Sequence, residues 1–544
     1  MNSEKFDITK SKILVVDDFG QMRSTCKRML ADYKAYDVDD TGSGEDAIEK
    51  MRIKKYDIIL CDYNLGEGQD GQQVLEEARN EGILDIASVF IMLTAENTSG
   101  MVLGAVEYEP DDYITKPFTK EVLRLRLQRV MERKAGLSKV ALAIKNKDYN
   151  AAINYCNQLI VENPKNALFL MKTKANIHFD LAEYDMAEQI YQKVLEKYPV
   201  AWAKLGWGKI RFLQQDYFAA KTIFTELIGE FPNQIEGYDW LAKTHEALGE
   251  LTNAQAILQQ ASSKSPKVLV RRQNLGDIAL KNNDLETAEL SFKAAVKLST
   301  GSSYRRAEDF TKLAQIFIEQ KKDQKALQFV KQGRDVFRNA PKDLLHLTVT
   351  EGNIHHSFNR PRDAGECIAR AAKIYTQHTE ALPSDSHLEF AEGCLIYGDK
   401  QKGVELMKEM ISNNHDDENF LNKVRSTFTK ASMAAEGEEL VKNAVKMIID
   451  INNEGARLAN AGKFEEAITL FGNAARKLPK NKIINLNAAQ ALIIYMEKNS
   501  PEKAKLSACQ HHLETVKQID PKDKRYRNLL KSFEKLTEKL AAKG

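Results

Sequence analysis

The chain has 544 residues, of which 43% are hydrophobic and 29% charged, and a formal net charge of +2. That length exceeds what one hydrophobic core serves, so at least two units are expected. No run of about eighteen apolar residues occurs, and no apolar stretch follows the N-terminal MNSEKFDITKSK, so the expectation is a soluble, cytoplasmic protein without membrane insertion.

The small net charge conceals an acidic head and a mildly basic body. Residues 1–135 hold 19 Lys+Arg against 26 Asp+Glu, and the remainder holds 60 against 51. The six cysteines (Cys26, Cys61, Cys156, Cys367, Cys394, Cys509) form no C-x-x-C pair and have no His at ligand spacing, which reads as reduced and structural. Twelve prolines and no Pro/Gly/Ser tract leave no flexible linker, so the domains are expected to abut through helix.

In chain order, the apolar runs KILVVDD, YDVDDTG, YDIILCDY, SVFIMLTA and DDYITKP alternate with QMRSTCKRMLADY, EDAIEKMRI, QQVLEEARNEG, SGMVLGAVE and TKEVLRLRLQRVMER. This predicts five strands and five helices. Strands apolar throughout, such as ILVV, suit a parallel sheet covered on both faces, so an α/β doubly wound parallel five-stranded sheet follows.

Function collects at the carboxyl ends of such strands. Those ends carry Asp17 and Asp18, then Asp62, then Thr94, then Lys116 before Pro117. Three clustered carboxylates repel one another unless a cation sits among them, and oxygen ligands select a hard ion such as Mg²⁺. With the metal, Asp62 can attack a phosphoryl donor while Lys116 and Thr94 stabilise charge on the transferring oxygens. Any one Asp alone is equally explained as a cap or turn residue. The joint pattern is not.

Over about residues 11–134 the sequence resembles the response-regulator receiver family. The resemblance implies Asp62 as phosphoacceptor, Asp18 as direct metal ligand with Asp17 assisting through water, and the Asn64 backbone carbonyl as a further ligand. It also implies Thr94 and Tyr113 as the switch pair, Lys116 as the phosphate-binding lysine, and a cis Lys116–Pro117 peptide. Its partner would be a sensor histidine kinase or phosphotransfer protein. Asn64 and Glu96 resemble the pair found in receivers that lose phosphate quickly, which implies a signal of seconds to minutes. One departure stands out: DYNLGEGQDG has Gly66 where the family usually has proline, and an extra residue before Gly71. The loop beside the site is therefore expected to be pliable, with its own docking partner.

From about residue 137 the pattern becomes helical with a recurring signature. Gly249, Leu251, Ala254, Leu258 and Ala261 match Asn283, Leu285, Ala288, Phe292 and Ala295 at a spacing of 34, as do Pro232 and Pro266. The frame also fits Tyr149/Ala152/Pro164, Tyr184/Ala187/Tyr191/Pro199, Tyr217/Ala220/Phe224 and Gly455/Gly462/Phe464/Ala467/Phe471/Ala474/Pro479. This resembles the tetratricopeptide repeat (TPR) family, which implies an all-α helical-repeat solenoid whose concave surface binds protein partners. The spacing stretches to 38 at Ala326 and blurs from about 340 to 450, where longer helical hairpins are expected. The expected division is a tail at 1–11, a receiver at 12–134, repeats at 135–500 and basic capping helices at 501–544.

No H-E-x-x-H, G-x-S-x-G or Walker loop occurs, and His355/His356 and His511/His512 are adjacent pairs on helices. No catalytic residue is expected beyond residue 134, and no enzyme activity beyond self-phosphorylation and autodephosphorylation. Residues 480–544 hold 14 Lys+Arg against 7 Asp+Glu, without aromatic interleaving or a nucleic-acid motif. The leading reading is a phosphorylation-switched protein-binding scaffold. A phosphate sink localised by the repeats, and a nucleic-acid-associated regulator using the basic C-terminus, stand as alternatives.

Overall fold

The computed structural model describes residues 7–66, 68–95, 110–302, 304–499 and 502–541. Strands β1 (Ile13–Val16), β2 (Val38–Thr41), β3 (Ile58–Asp62), β4 (Val89–Thr94) and β5 (Asp112–Thr115) form one parallel sheet in the order β2-β1-β3-β4-β5. Ile13 lies opposite Val38 and Ile58, and Asp62 opposite Leu93. Helices α1 (Gly20–Ala31), α2 (Gly44–Ile53), α3 (Gly71–Asn80) and α4 (Lys120–Lys134) cover it. The fourth expected helix, SGMVLGAVE, lies outside the described residues.

Side chains alternate across the sheet, as strand geometry requires. Leu14, Val16, Ile59, Cys61, Phe90 and Met92 enter one buried layer with Val74 and Leu75 of α3. Ile13, Val15, Ile58, Leu60, Val89, Ile91 and Ile114 enter the other, with Leu30 of α1 and Leu123 and Leu127 of α4. At β1, β3 and β4 both faces are dry, which is why these strands read as continuous apolar runs.

The chain leaves this domain by a break rather than by continuous helix. Helix α4 stops at Lys134, Ala135 turns out of the helix at φ −55° and ψ 129°, and Gly136 at φ +85° opens the next helix, Leu137–Lys145. The left-handed step ends the helix that the lack of a linker had suggested would run on. Lys134 is anchored back to the Asp111 carboxylate at 2.8 Å, and the Arg133 guanidinium lies 5.5 Å from the centre of the Phe169 ring. Ile86 and Ala87 join the core of the first helical pair, around Leu137, Val140 and Cys156.

The chain divides into two compact units, Met1–Ile316 and Phe317–Gly544. In the first, the helical pairs are Leu137–Lys145 with Tyr149–Glu162, Ala167–Asp180 with Tyr184–Leu195, Ala201–Leu213 with Tyr217–Glu230, Ile235–Ala247 with Leu251–Lys264, and Leu269–Lys281 with Leu285–Leu298. Asp148, Asp216 and Asp284 cap second helices by accepting from backbone N–H groups three residues on. Within pairs, Gly208 meets the Phe224 ring and Gly276 the Phe292 ring, at the same offset of sixteen residues; an added Cβ would lie 2.5 and 2.7 Å from those rings. That close approach is possible only because glycine stands opposite the ring.

In the second unit, Pro341–Ser357 and Pro361–His378 are longer, at 17 and 18 residues, as the blurred spacing suggested. Helix Ala434–Asn460 runs for 27 residues and leads into Phe464–Lys477, where Gly455 again faces Phe471. Lys482–Lys498, Lys503–Ile519 and Lys524–Ala541 follow, joined by a core of Leu492, Cys509, Leu513, Val516 and Leu536.

Candidate functional site

Because β1, β3 and β4 are parallel and in register, their ends share one edge, and the residue following β1 falls beside the last residue of β3. Asp17 is fully buried there, Asp62 nearly so, and Asp18 is exposed at the rim; carboxylate oxygens from all three lie within 4.8 Å of one another. Lys116, just after β5, places Nζ 2.6 Å from Asp17 Oδ2 and 2.7 Å from Asp62 Oδ2. The Lys116–Pro117 peptide is cis. A cavity of about 270 Å³ opens on this cluster, lined by Asp17, Asp62, Asn64, Thr94 and Lys116 together with Phe19, Met22, Tyr63 and Ala95.

Burial pushes the Asp62 carboxyl above its ordinary range, against the pull of the Lys116 ammonium. Burial acts to lower Lys116 in turn, but its bonds to Asp17 and Asp62 prevail and hold it above the usual range. The Asp17 carboxylate also accepts from the Phe19 N–H at 2.9 Å. Three carboxylates with oxygen-only donors suit a hard divalent cation, and the single ammonium compensates only part of their charge. Asp18 faces the solvent side, where such an ion would enter.

The structure therefore brings Asp17, Asp18, Asp62, Asn64, Thr94 and Lys116 together. Tyr113 lines a different cavity, of about 670 Å³, with Phe90, Asp111, Lys134 and Phe169. Glu96 lies outside the described residues. Sequence reading passed over Arg23, one turn beyond the acidic pair, whose guanidinium donates to the Asp17 carbonyl at 2.7 Å and to Asp40 at 2.9 Å. Its i+6 spacing from Asp17 was the available signal. Gly71 was also silent: an added Cβ would fall 2.0 Å from the Asp62 carbonyl oxygen, so α3 begins directly against the acceptor's backbone.

In the second unit Glu351, His355 and Cys367 converge within 4.8 Å, a grouping that no sequence spacing announces. Glu351 is already held by Arg334 at 2.7 Å and Arg370 at 2.9 Å, and burial pushes the Cys367 thiol up to about 11. Two guanidiniums beside a protonated thiol make this a structural network.

The fold and its acidic edge define a receiver-type domain followed by helical repeats. A family model for the response regulator receiver domain matches residues 13–128, and tetratricopeptide repeat models match 202–233 and 272–300. The chain is 30% identical over 125 residues to chemotaxis protein CheY of Pseudomonas aeruginosa, covering 23% of this chain and 99% of that one. It is 34% identical over 129 residues to transcriptional regulatory protein ResD of Bacillus subtilis, covering 24% of this chain and 51% of ResD, about half its length. The C-terminal part of a TPR repeat-containing protein from Cytophaga hutchinsonii aligns at 15% identity and a TM-score of 0.37, covering 44% of this chain and 96% of that one. The chain belongs to the response-regulator receiver family and is a two-component response regulator whose receiver is followed by protein-interaction repeats. Among the described residues no helix is long and apolar enough to cross a membrane.

Proposed function

We propose that Asp62 accepts a phosphoryl group from a histidine kinase or phosphotransfer protein, and that its state sets which protein partner the repeats engage. The observation that carries this reading is the cluster of Asp17, Asp18 and Asp62 within 4.8 Å, bridged by Lys116. Asp17, Asp18, Asp62 and the Asn64 carbonyl would hold Mg²⁺, which when bound supplies positive charge to the transferring oxygens. An Asp62 carboxylate oxygen attacks phosphorus, the new O–P bond forms, and the bond from phosphorus to the donor's nitrogen breaks, leaving the electron pair on that nitrogen. Lys116 leaves its two carboxylates to pair with the phosphoryl oxygens, and Thr94 donates its hydroxyl to one of them. Tyr113, beside the cavity that reaches Phe169 of the repeats, carries the change outward.

The test is intact-mass measurement after incubation with acetyl phosphate, with Mg²⁺ or with EDTA. One added phosphoryl group is expected only with Mg²⁺ and is expected to be lost in Asp62→Asn. Incorporation unchanged in Asp62→Asn refutes the assignment.

A further inference from the structure

The receiver is gripped by the repeats at a second place, far along the chain from the junction at Gly136. Gln69 Nε2 donates to the Gly301 carbonyl at 2.7 Å, and Gln73 Nε2 to the Thr300 carbonyl at 3.1 Å. Ser302 Oγ donates to Glu76 at 3.4 Å, and the Lys267 ammonium lies 5.5 Å from the centre of the Tyr63 ring. Gln69, Glu76 and Ser302 are each at most 6% exposed, so this is a closed polar joint rather than a grazing contact.

The joint grows out of the acceptor site itself. Tyr63 follows Asp62 and lines its cavity, and Gly71, which opens α3, sits against the Asp62 carbonyl. Between them lies the segment with Gly66 and Gly68 at φ +77° and +97°, the departure from the family pattern. An added Cβ on Gly66 would lie 3.4 Å from Asp18 Oδ2, so the same short segment touches the metal-ligand candidates at one end and residue 301 at the other. On the far side, Gly301 at φ +74° lies so close that a Cβ would meet Gln69 Cγ at 2.7 Å.

We propose that residues 298–302 form a latch on the β3–α3 face of the receiver, closed while Asp62 is paired with Lys116 and released when Asp62 is phosphorylated. This rests on the acceptor reading above. A phosphoryl group draws Lys116 off Asp62 and crowds the segment that follows it, beginning at Tyr63 and Asn64, which line the same cavity. The pliable glycine segment passes that displacement to Gln69 and Gln73. Amide hydrogen bonds at 2.7 and 3.1 Å do not survive a shift of about 1 Å, because they weaken steeply with distance and angle. Release exposes Gln69, Glu76 and Ser302 and frees the fifth helical pair from the receiver. By linkage the effect is reciprocal: opening the latch by other means changes how the acceptor holds its phosphoryl group.

The experiment is hydrogen–deuterium exchange on the full chain, with acetyl phosphate and Mg²⁺, with phosphoryl incorporation measured by mass on the same samples. Exchange in peptides covering 68–76 and 298–302 is expected to rise about tenfold on phosphorylation and to stay unchanged in Asp62→Asn. Phosphorylation with unchanged or slower exchange there overturns the latch and leaves the acceptor assignment standing. No phosphoryl incorporation overturns the acceptor assignment and the latch with it. As a second arm, Gly301→Val, which forces Gln69 away, is expected to change the phosphoryl half-life about threefold or more; an unchanged half-life in a variant whose 298–302 peptide exchanges freely overturns the coupling.

Discussion

Replacing Gly208 by alanine tests the packing rule on which the solenoid is built. A methyl at this position would sit 2.5 Å from Phe224 Cε1, inside a ring that is fully buried. Carbon atoms prefer about 3.5–4.0 Å, so the ring or the helix has to give by about 1 Å, an overpacking cost of about 1–3 kcal/mol. Against this stands the helix-propensity gain of Gly→Ala, about 1 kcal/mol in a helix interior. The expected net loss is about 1 kcal/mol, or roughly half a molar in urea midpoint. Gly229→Ala is the control: it lies exposed near the end of the neighbouring helix, and nothing is within 4 Å of its added Cβ. There the propensity gain acts alone, and about 0.5 kcal/mol of stabilisation is expected. All three tryptophans, Trp202, Trp207 and Trp240, lie in these repeats, so fluorescence during urea unfolding reads the right region. Phe224→Leu added to Gly208→Ala is expected to recover part of the loss by opening space. If Gly208→Ala and Gly229→Ala shift the midpoint in the same direction, the close-approach reasoning is wrong.

Three further outcomes are expected. Asp239→Ala removes the carboxylate that holds the Arg271 guanidinium, which is 2% exposed and bound bidentate at 2.8 and 2.6 Å, and is expected to cost about 3–5 kcal/mol in urea unfolding, whereas the Asp239→Ala/Arg271→Met double variant costs measurably less. In the second unit, burial and then His511 hold the His512 imidazole down at about 4, while Nδ1 donates to Asn485 at 2.7 Å. An unfolded histidine titrates at about 6.5, so the unfolded chain binds more protons between these values; this contribution to stability is whole above about pH 6.5 and falls as pH drops toward 4. Calorimetry at pH 7 and 5 is expected to show a loss of about 1 kcal/mol after allowing for solvent screening, absent in His512→Gln. The phosphoryl group on Asp62 is expected to decay within seconds to minutes, and persistence for many hours in the purified chain contradicts the reading of Asn64 and Glu96.

The central strands β1, β3 and β4 were legible because they are buried on both faces, so their apolar runs and polar ends stood out. The repeats were legible wherever the spacing of 34 holds, as between Ala254 and Ala288, both fully buried in their helical pairs. They faded between 340 and 450 because longer helices such as Pro361–His378 carry their contacts on other turns. The joint of Gln69 and Gln73 with residues 298–302 was beyond sequence reading altogether. It is made by side-chain amides on backbone carbonyls more than two hundred residues away, and carbonyls have no residue identity to read. The helix break at Ala135–Gly136 was similarly hidden, since one glycine among helix formers does not by itself announce a left-handed step.

The polar chemistry of that joint also bears on how the chain is made. Synthesis delivers the receiver before the repeats, and a domain generally folds before the segments that follow it exist. The face bearing Gln69, Gln73 and Glu76 must then wait, bare, until residue 301 has been added. An apolar seat would expose a sticky patch throughout that interval, the usual route to aggregation. Glutamine and glutamate stay hydrated while they wait and still supply directed bonds when their partner arrives, so this face adds no apolar patch to the nascent receiver.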